Sequence, residues 1–291
     1  MYEKFYGLKE KPFGMTPDPR FTYFSKKHKE GFAHLIYSMK NQTGFVLITG
    51  EVGTGKTLLC RTLLTQLDPE VEVALIFNPY LSAVELLRSI NEDLGISSEA
   101  KTGKELINEL NNHLLNEREK GKTVILIIDE AQGLSPELLE QIRLISNLET
   151  DREKLIQIML LGQPELRSLI SRPDLRQLNQ RIGIRYHLSP LALNETTDYI
   201  YHRLNIAGNQ DSVMFTPSAL KVIYKNSQGI PRLINSLCDR ALLAGYTMES
   251  KVINRKLIKK VVGEVKDSNA LSPYGNKFFL IPGFQRVSLI A

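Results

Sequence analysis

One short segment constrains the fold of this chain more than any other. Residues 50–57 have the sequence G-E-V-G-T-G-K-T and fit the pattern G-x-x-x-x-G-K-[ST] without a gap. Glycines let a backbone wrap a polyphosphate with its N–H groups pointing inward, at a helix N-terminus where negative charge is favoured. In this interpretation Lys56 reaches the β and γ phosphates, and the Thr57 hydroxyl ligates Mg²⁺. The predicted nucleotide-binding residues are Gly50, Glu51, Val52, Gly53, Thr54, Gly55, Lys56, Thr57 and the adjoining Leu58.

The flanking sequence favours this interpretation of the segment, which we call the P-loop. Residues 44–49 are an apolar run of strand length, and leucines recur at helical spacing from Leu58 to Leu67. Strand, loop and helix in this order are the context that the motif requires. A glycine-rich turn with an incidental lysine is the alternative, but a chance match in a chain of this length has odds of roughly one in a hundred.

A second group of candidate residues follows an unbroken apolar run at 123–128. Such runs are typical of parallel strands that are covered on both faces. The run ends in Asp129 and Glu130, at the strand edge where α/β sheets bind ligands. We expect Asp129 to hold Mg²⁺ through its water shell and Glu130 to act as the general base on water. The alternative is a strand end with solubilising acidic residues.

Further apolar runs at 71–77, 155–161 and 184–188 predict three more strands. The run at 155–161 is followed by Gln163, which should therefore reach the same edge of the sheet as Asp129. A polar side chain there can contact the γ phosphate or position water. It can equally be an amide that only closes the turn.

Composition bounds the class of protein and its partners. The chain has 291 residues, with 42% hydrophobic and 24% charged residues, which is typical of a soluble protein with a sizeable core. The net charge of +5 permits contact with nucleic acid or an anionic membrane surface without demanding it. No apolar run approaches the roughly 20 residues that span a bilayer. The two cysteines predict no disulfide framework, and the five histidines show no metal-ligand spacing, so we expect structural roles for them.

Four parts are predicted along the chain. Residues 1–43 are rich in aromatic residues and should pack on the nucleotide-binding domain, with a helix over about 27–41. Residues 44–190 form an α/β domain, and residues 191–265 have the pattern of helices only. Residues 266–291 form a tail, apolar but broken by Pro and Gly, for which the sequence indicates no role.

These segments together resemble a known family. The chain is similar to AAA+ ATPases and, among them, to the secretion ATPases of the ExeA/GspA type, most of all to the ATPases of mannose-sensitive haemagglutinin (MSHA) type IV pilus biogenesis. The resemblance covers residues 1–265. It is carried by Phe13 with P-D-P at 17–19, the P-loop with L-L-C-R at 58–61, N-P-Y-L-S at 78–82, D-E-A-Q at 129–132, G-Q-P-E-L at 162–166, L-R-Q-L-N-Q-R-I at 175–182 and G-I-P-R-L-I-N at 229–235.

The resemblance implies a fold and roles for further residues. The fold is a three-layer αβα P-loop domain with a parallel sheet, followed by a small helical lid. Gln163 falls at the first sensor, a position that more often holds Asn or Thr, and Arg232 falls at the second sensor. Arg181 resembles the finger that is donated to a neighbouring subunit, with Arg176 as the second candidate. A surface ion pair is the alternative for each arginine. A finger supplied in trans implies a homo-oligomer.

Three functions follow as hypotheses. The first is a cytoplasmic ATPase that binds ATP and Mg²⁺ and assembles or remodels an envelope secretion or pilus apparatus, reaching the inner membrane through a partner. The second is a DNA-dependent AAA+ ATPase similar to transposition target-selection proteins. The third is a nucleotide switch without turnover, which intact Asp129 and Glu130 disfavour. Adenine is the expected base because the chain has no Asn-Lys-x-Asp motif.

Overall fold

The computed structural model describes residues 1–16, 18–41, 43–77, 80–97, 99–100, 102–149, 153–208 and 212–267. Of the predicted tail, residues 266–291, the part from 268 onward lies outside these ranges, as does the dipeptide at 78–79, whereas residues 266 and 267 belong to the last helix and not to a tail. The described strands are β1 (Phe45–Gly50), β2 (Val71–Ile76), β3 (Thr123–Ile128), β4 (Ile156–Gly162), β5 (Ile182–Leu188), β6 (Met214–Phe215) and β7 (Val252–Ile253). The described helices are α1 (Tyr2–Phe5), α2 (Lys26–Asn41), α3 (Lys56–Leu64), α4 (Ala83–Asp93), α5 (Gly103–Glu119), α6 (Pro136–Ile145), α7 (Glu165–Ile170), α8 (Arg176–Arg181), α9 (Leu193–Ile206), α10 (Pro217–Ser227), α11 (Pro231–Thr247) and α12 (Arg255–Asp267).

Strands β1 to β5 form one parallel sheet in the order β2-β3-β4-β1-β5. Every residue of β1 and β4 is buried, as their unbroken apolar runs predict for strands covered on both faces. In this order β4 lies between β1 and β3, so that Thr49 pairs with Gly162 and Ile128 pairs with Leu160. The segments that follow these three strands therefore meet at one edge of the sheet.

Helices cover both faces of the sheet, which confirms the predicted three-layer α/β fold. Along β3, Leu126 belongs to the core that includes residues of α4, α5 and α6, whereas the adjacent Ile127 belongs to the core that includes residues of α2 and α3. This alternation is the period of two that a strand imposes on its side chains. The two cores fix the sheet between the helices and so fix the edge that carries the candidate residues.

Helices α9 to α12, which follow the sheet domain in the chain, enclose a separate core. The prediction of helices alone after residue 190 is wrong at two places, because β6 and β7 pair in parallel. Each strand has two residues, too few for an alternating pattern to appear in the sequence. Phe215 and Ile253 are buried in the helical core, and this burial holds the two strands side by side.

The N-terminal segment packs differently from the prediction. Residues 2–21 bury their rings in the core of the helical domain, not on the sheet domain. The Tyr6 hydroxyl, for example, donates to the carbonyl oxygen of Leu242 at 3.0 Å. The later part of the segment packs on the sheet, through Leu35 of α2 and through neighbours such as Phe24 and Phe32. The many aromatic rings predicted that this segment is buried, but a count of rings does not say which surface buries them.

Two other features bear on the class of protein. Cys60 and Cys238 are buried free thiols in different cores. Burial raises the pKa of Cys60 to about 12 and that of Cys238 well above its usual value, so both thiols stay protonated and serve as packing groups. Within the described ranges, no helix has the length and hydropathy needed to cross a membrane.

Candidate active site

The P-loop, between β1 and α3, has the backbone that its glycines allow. Gly53 and Gly55 have φ angles of 81° and 106°, in the left-handed region that favours glycine. Glu51 and Val52 are exposed at the tip of the loop, and Leu58 is half-buried on α3. The segment thus turns sharply from the sheet into the start of a helix, where backbone N–H groups favour an anion.

Lys56 lies at the start of α3 and is 5% exposed. Its ammonium donates to the carbonyl oxygens of Gly50 at 2.8 Å and Glu51 at 3.1 Å. Burial lowers the pKa of Lys56, while the carboxylates of Glu130 and Asp129 act in the opposite direction. A buried ammonium beside a helix N-terminus is a suitable partner for a phosphate. The attraction between the two opposite charges offsets the free energy that burial costs the charged ammonium.

Thr57 and Asp129 come together across the site, 72 positions apart in the chain. The Thr57 hydroxyl donates to Asp129 Oδ2 at 2.6 Å, and the backbone N–H of Glu130 donates to Asp129 Oδ1 at 2.8 Å. Asp129 is 3% exposed, and these bonds satisfy its buried carboxylate. A hydroxyl oxygen and a carboxylate oxygen are hard ligands of the kind that Mg²⁺ takes, so the residues present fit this ion.

Glu130 is held in a fixed orientation at the same edge. Its φ angle is 52°, a backbone conformation that non-glycine residues rarely adopt. Its Oε2 atom accepts hydrogen bonds from the side-chain amides of Gln132 at 2.6 Å and Gln163 at 3.1 Å. Strained backbone of this kind is found at functional sites, where the surroundings hold a side chain in place.

Gln132 is a residue that sequence reasoning missed. It appeared there only as part of the D-E-A-Q segment. Besides its bond to Glu130, its Oε1 atom accepts from the backbone N–H of Gln163 at 2.9 Å. A Cβ at Gly162 would lie 2.9 Å from the same oxygen. Gln132 therefore joins the ends of β3 and β4 and depends on a glycine at the end of β4.

Arg232 brings the helical domain to the P-loop. Its backbone N–H lies 3.4 Å from the carbonyl oxygen of Gly53, and a Cβ on Gly53 would be 2.5 Å from Arg232 Cβ. The side chain of Arg232 is exposed. The start of α11 thus rests directly on the phosphate-binding loop, at the place where a charge from this domain could reach a bound nucleotide.

The two other candidate arginines lie on α8, at opposite ends of the helix. Arg181 is half-buried and donates to the hydroxyl of Ser146 in the same chain, at 2.9 Å. Arg176 is exposed. The structure does not bring either arginine into the group formed by Lys56, Asp129 and Glu130.

His28, for which a structural role was predicted, is buried against the P-loop. Its Nε2 atom is 3.0 Å from the carbonyl oxygen of Thr54, and its Nδ1 atom is 2.7 Å from the hydroxyl of Ser25. The ring is 6% exposed. Nothing in the local sequence distinguishes this histidine from the others, since its partner lies 26 positions away.

An open cleft of about 590 Å³ lies where the two domains meet. It is lined by the start of α2, the connection from β5 to α9 and the end of α10, including Lys26, Glu195 and Tyr224. Its lining includes Lys27, which directly precedes His28 in the chain, and Gln228, which lies four positions before Arg232.

A second charged cluster lies on the outer strand β2 and on α5. His113 Nε2 is 2.9 Å from Glu72, and the buried Glu117 pairs with both Lys120 and Lys122. Glu72, His113 and Glu117 are close enough to share a metal ion. Because Lys122 already pairs with both carboxylates, this group is better described as an ion-pair network.

Comparison with known proteins places the site in context. Residues 39–170 match the family model described as AAA domain, so the chain contains such a domain. "General secretion pathway protein A" of Aeromonas hydrophila is 47% identical over 254 residues, which cover 87% of this chain and 46% of that protein. The chain therefore spans about half the length of this curated relative.

Solved structures share the fold at low sequence identity. The ORC2 protein of Aeropyrum pernix has a TM-score of 0.64 at 18% identity, covering 91% of this chain and 75% of that one. Cdc6p of Pyrobaculum aerophilum has a TM-score of 0.65 at 21% identity, with 86% and 71% covered. The RuvB Holliday junction branch migration motor of Thermotoga maritima has a TM-score of 0.56 at 18% identity, with 87% and 76% covered. These structures thus share the parallel sheet followed by a helical domain.

Proposed function

We propose that this AAA-domain protein hydrolyses ATP to assemble or remodel a cell-envelope secretion or type IV pilus apparatus. One observation carries the enzymatic part. Two amide donors hold the Glu130 carboxylate at the same sheet edge as Lys56 and the Thr57–Asp129 pair. The apparatus is supported by 47% identity to General secretion pathway protein A.

Binding follows from the P-loop and its neighbours. The loop backbone and the Lys56 ammonium would surround the phosphates, with Arg232 approaching from the helical domain. Thr57 and Asp129 would hold Mg²⁺. The ion would neutralise part of the negative charge on the β and γ phosphates. The cleft between the domains is the candidate place for the base, and we propose adenine.

Hydrolysis requires a base that can take a proton from water. Both amides bind the Oε2 atom of Glu130. In this proposal its Oε1 atom is the one that takes the proton from water. As water attacks the γ phosphorus, Glu130 accepts its proton and the bond to the β–γ bridging oxygen breaks. A positioned base of this kind contributes about 10²–10⁴ in rate. Gln163 contacts Glu130 directly and therefore acts here by orienting the base.

The proposal includes a homo-oligomer. Neither Arg181 nor Arg176 lies in the catalytic group of its own chain, so a finger from α8 would act on a neighbouring subunit. Arg181 remains the first candidate from the sequence. Arg176 is the alternative, and its exposed side chain supports it.

The partner proposed for this ATPase is an inner-membrane component of the apparatus. Such a component would recruit the protein from the cytoplasm to the membrane surface. The finer proposal, from the sequence resemblance, is a pilus of the MSHA type.

The test is purification of the Glu130→Gln protein from native cells in the presence of ATP, with identification of what comes with it. The variant should bind ATP, stop hydrolysis and retain the complex that hydrolysis normally releases. Inner-membrane pilus or secretion proteins in the complex would support the proposal. Turnover is measured in parallel by phosphate release. Binding of ATP by the unmodified protein without any turnover would favour a nucleotide switch instead.

Lys56→Ala provides the matched control, since it should lose nucleotide binding and with it the complex. A complex that is the same in both variants would not depend on ATP and would contradict the proposal.

DNA-dependent ATPase activity is the second candidate, and one surface favours it. Helix α12 buries Leu257, Ile258 and Val261 and exposes Arg255, Lys256, Lys259 and Lys260 on its other side. If this face binds duplex DNA, affinity should fall steeply with salt, with a log–log slope of about −0.9 for each phosphate contacted. Lys256→Glu should weaken binding, whereas Lys104→Glu on α5 should not. Absence of binding at low salt would exclude this candidate.

A further inference from the structure

The P-loop is held from two sides by residues outside it. On one side the start of α11 contacts Gly53 through Arg232 and Ile230. On the other side the His28 ring of α2 covers the next two residues. A Cβ on Gly55 would lie 2.9 Å from His28 Nε2, so the glycine and the imidazole fit one another closely.

The partners of His28 fix its tautomer. A carbonyl oxygen can only accept, so Nε2 carries the hydrogen and donates to Thr54. In the neutral ring Nδ1 then accepts from the Ser25 hydroxyl, and this hydroxyl also accepts from the His28 backbone N–H. Burial lowers the pKa of His28, which favours this neutral form, although Thr54 and Glu195 oppose the shift. The imidazole is therefore a fixed donor aimed at one carbonyl of the P-loop.

The start of α2 is also tied to the helical domain. Glu195 lies in the first turn of α9, and its two carboxylate oxygens serve different helices. One accepts from the backbone N–H of Ala192 at 3.0 Å and so caps α9, and the other accepts from the backbone N–H of Lys26 at 3.2 Å. A carboxylate is stabilised at both helix N-termini. His28 is in the same turn of α2 as Lys26.

We infer that His28 is a positioning residue that sets the P-loop backbone through the Thr54 carbonyl and, with Glu195, couples it to the helical domain. The inference rests on the proposed binding of ATP at this loop. A shift of α9 would act on α2, on the imidazole and then on residues 54–55. The position of the helical domain thereby controls nucleotide affinity by a route separate from Arg232.

A purely structural histidine would make a different prediction. An apolar side chain of similar size could fill the same space, but it would leave the buried Thr54 carbonyl without its donor. The chemistry of Nε2 is therefore what matters, and glutamine can supply an Nε2–H group at a similar reach. Asparagine is too short to do so.

The experiment measures the Kd of a fluorescent ATP analogue with Mg²⁺ on the full chain. His28→Leu and His28→Asn should each weaken binding about tenfold, and His28→Gln should stay within about twofold of the unmodified protein. His202→Leu is the matched control, since His202 Nε2 also bonds a backbone carbonyl, that of Thr22 at 3.1 Å. It should leave the Kd unchanged. Equal effects of leucine and glutamine at position 28, or no effect of leucine, would overturn the inference.

The link to the helical domain is tested by a double-mutant cycle. Glu195→Ala should weaken binding by itself, and the double variant with His28→Leu should be no weaker than His28→Leu alone, because both act on one path. Strictly additive effects would refute the coupling. Thermal unfolding checks that each variant is folded.

If His28→Leu does not fold, Ser25→Ala takes its place. It removes the hydroxyl that orients the ring, and it should weaken binding about threefold. An unchanged Kd in this folded variant would count against the inference. Failure of the unmodified protein to bind ATP would instead refute the proposed function, so the two failures can be told apart.

Discussion

Replacing Gln132 by alanine should slow ATP hydrolysis about tenfold without weakening ATP binding. The structure gives the magnitude. Gln132 donates to the Glu130 carboxylate at 2.6 Å, and a hydrogen bond to a charged group contributes about 1.5–3 kcal/mol. Glu130 is exposed and keeps its bond from Gln163, so we take the lower figure, about 1.5 kcal/mol. Each 1.36 kcal/mol or so corresponds to about tenfold in rate.

The assay separates the chemical step from binding. Phosphate release at saturating ATP gives kcat, and titration of a fluorescent ATP analogue gives Kd. We expect kcat to fall about tenfold while Kd changes by less than about twofold, because Gln132 has no hydrogen bond to the P-loop. Gln66→Ala is the control, since Gln66 is an exposed glutamine just beyond α3. It should change neither quantity.

A second substitution reaches the same amide indirectly. A Cβ added by Gly162→Ala would lie 2.9 Å from Gln132 Oε1 and 2.7 Å from Leu166 Cδ2, so the amide has to move. This variant should also lower kcat more than it changes Kd. The reasoning is refuted if Gln132→Ala turns over normally while Glu130→Gln is inactive, since the amide would then not orient the base. A parallel loss of kcat and affinity would place Gln132 in binding instead.

Three further predictions concern catalysis, assembly and pH. Glu130→Gln should retain ATP binding and lower kcat by about 10²–10⁴, measured by phosphate release; normal turnover would rule out Glu130 as the base. Arg181→Ala, or Arg176→Ala if that residue is the finger, should be inactive alone and partly rescued by mixing with a Lys56→Ala protein; if no mixture of either variant regains activity, the shared site is wrong. Hydrogen bonds from two lysines lower the pKa of Glu117 from 4.5 to about 2, so its carboxylate stabilises the fold above about pH 4.5 and loses this effect as the pH falls toward 2. Glu117→Gln should flatten the pH dependence of unfolding in that window, as measured by urea titration at several pH values; an unchanged slope would contradict it.

Most of the sheet and its candidate site could be predicted because their sequence pattern is local. An unbroken apolar run followed by a polar residue identifies both a strand and the end that bears function, as at Asp129 and Gln163. The order of strands then brings these ends together. The arrangement around Glu130 was harder to predict from the sequence, because Gln132 accepts a hydrogen bond from the backbone of Gln163, 31 positions away.

The contacts that could not be predicted join residues far apart in the chain. His28 binds a carbonyl 26 positions away, and Tyr6 binds one 236 positions away. Apolar residues in the first segment predict burial, but the choice between two apolar surfaces depends on the complete shape of both domains. Very short strands such as β6 have no pattern long enough to recognise.

The packing of residues 2–21 into the helical domain has a consequence for biosynthesis. Translation produces this segment before the surfaces that bury its rings, such as those of α11, which are made some two hundred residues later. The sheet domain can fold in the meantime, because its strands and helices lie close together in the chain. The helical domain cannot complete its core until residues 2–21 and helices α9 to α12 have all been made. Closing so long a loop carries an entropic cost that slows this step. The ring-rich segment therefore remains exposed on the nascent chain, where it is open to chaperones and to premature association with other copies.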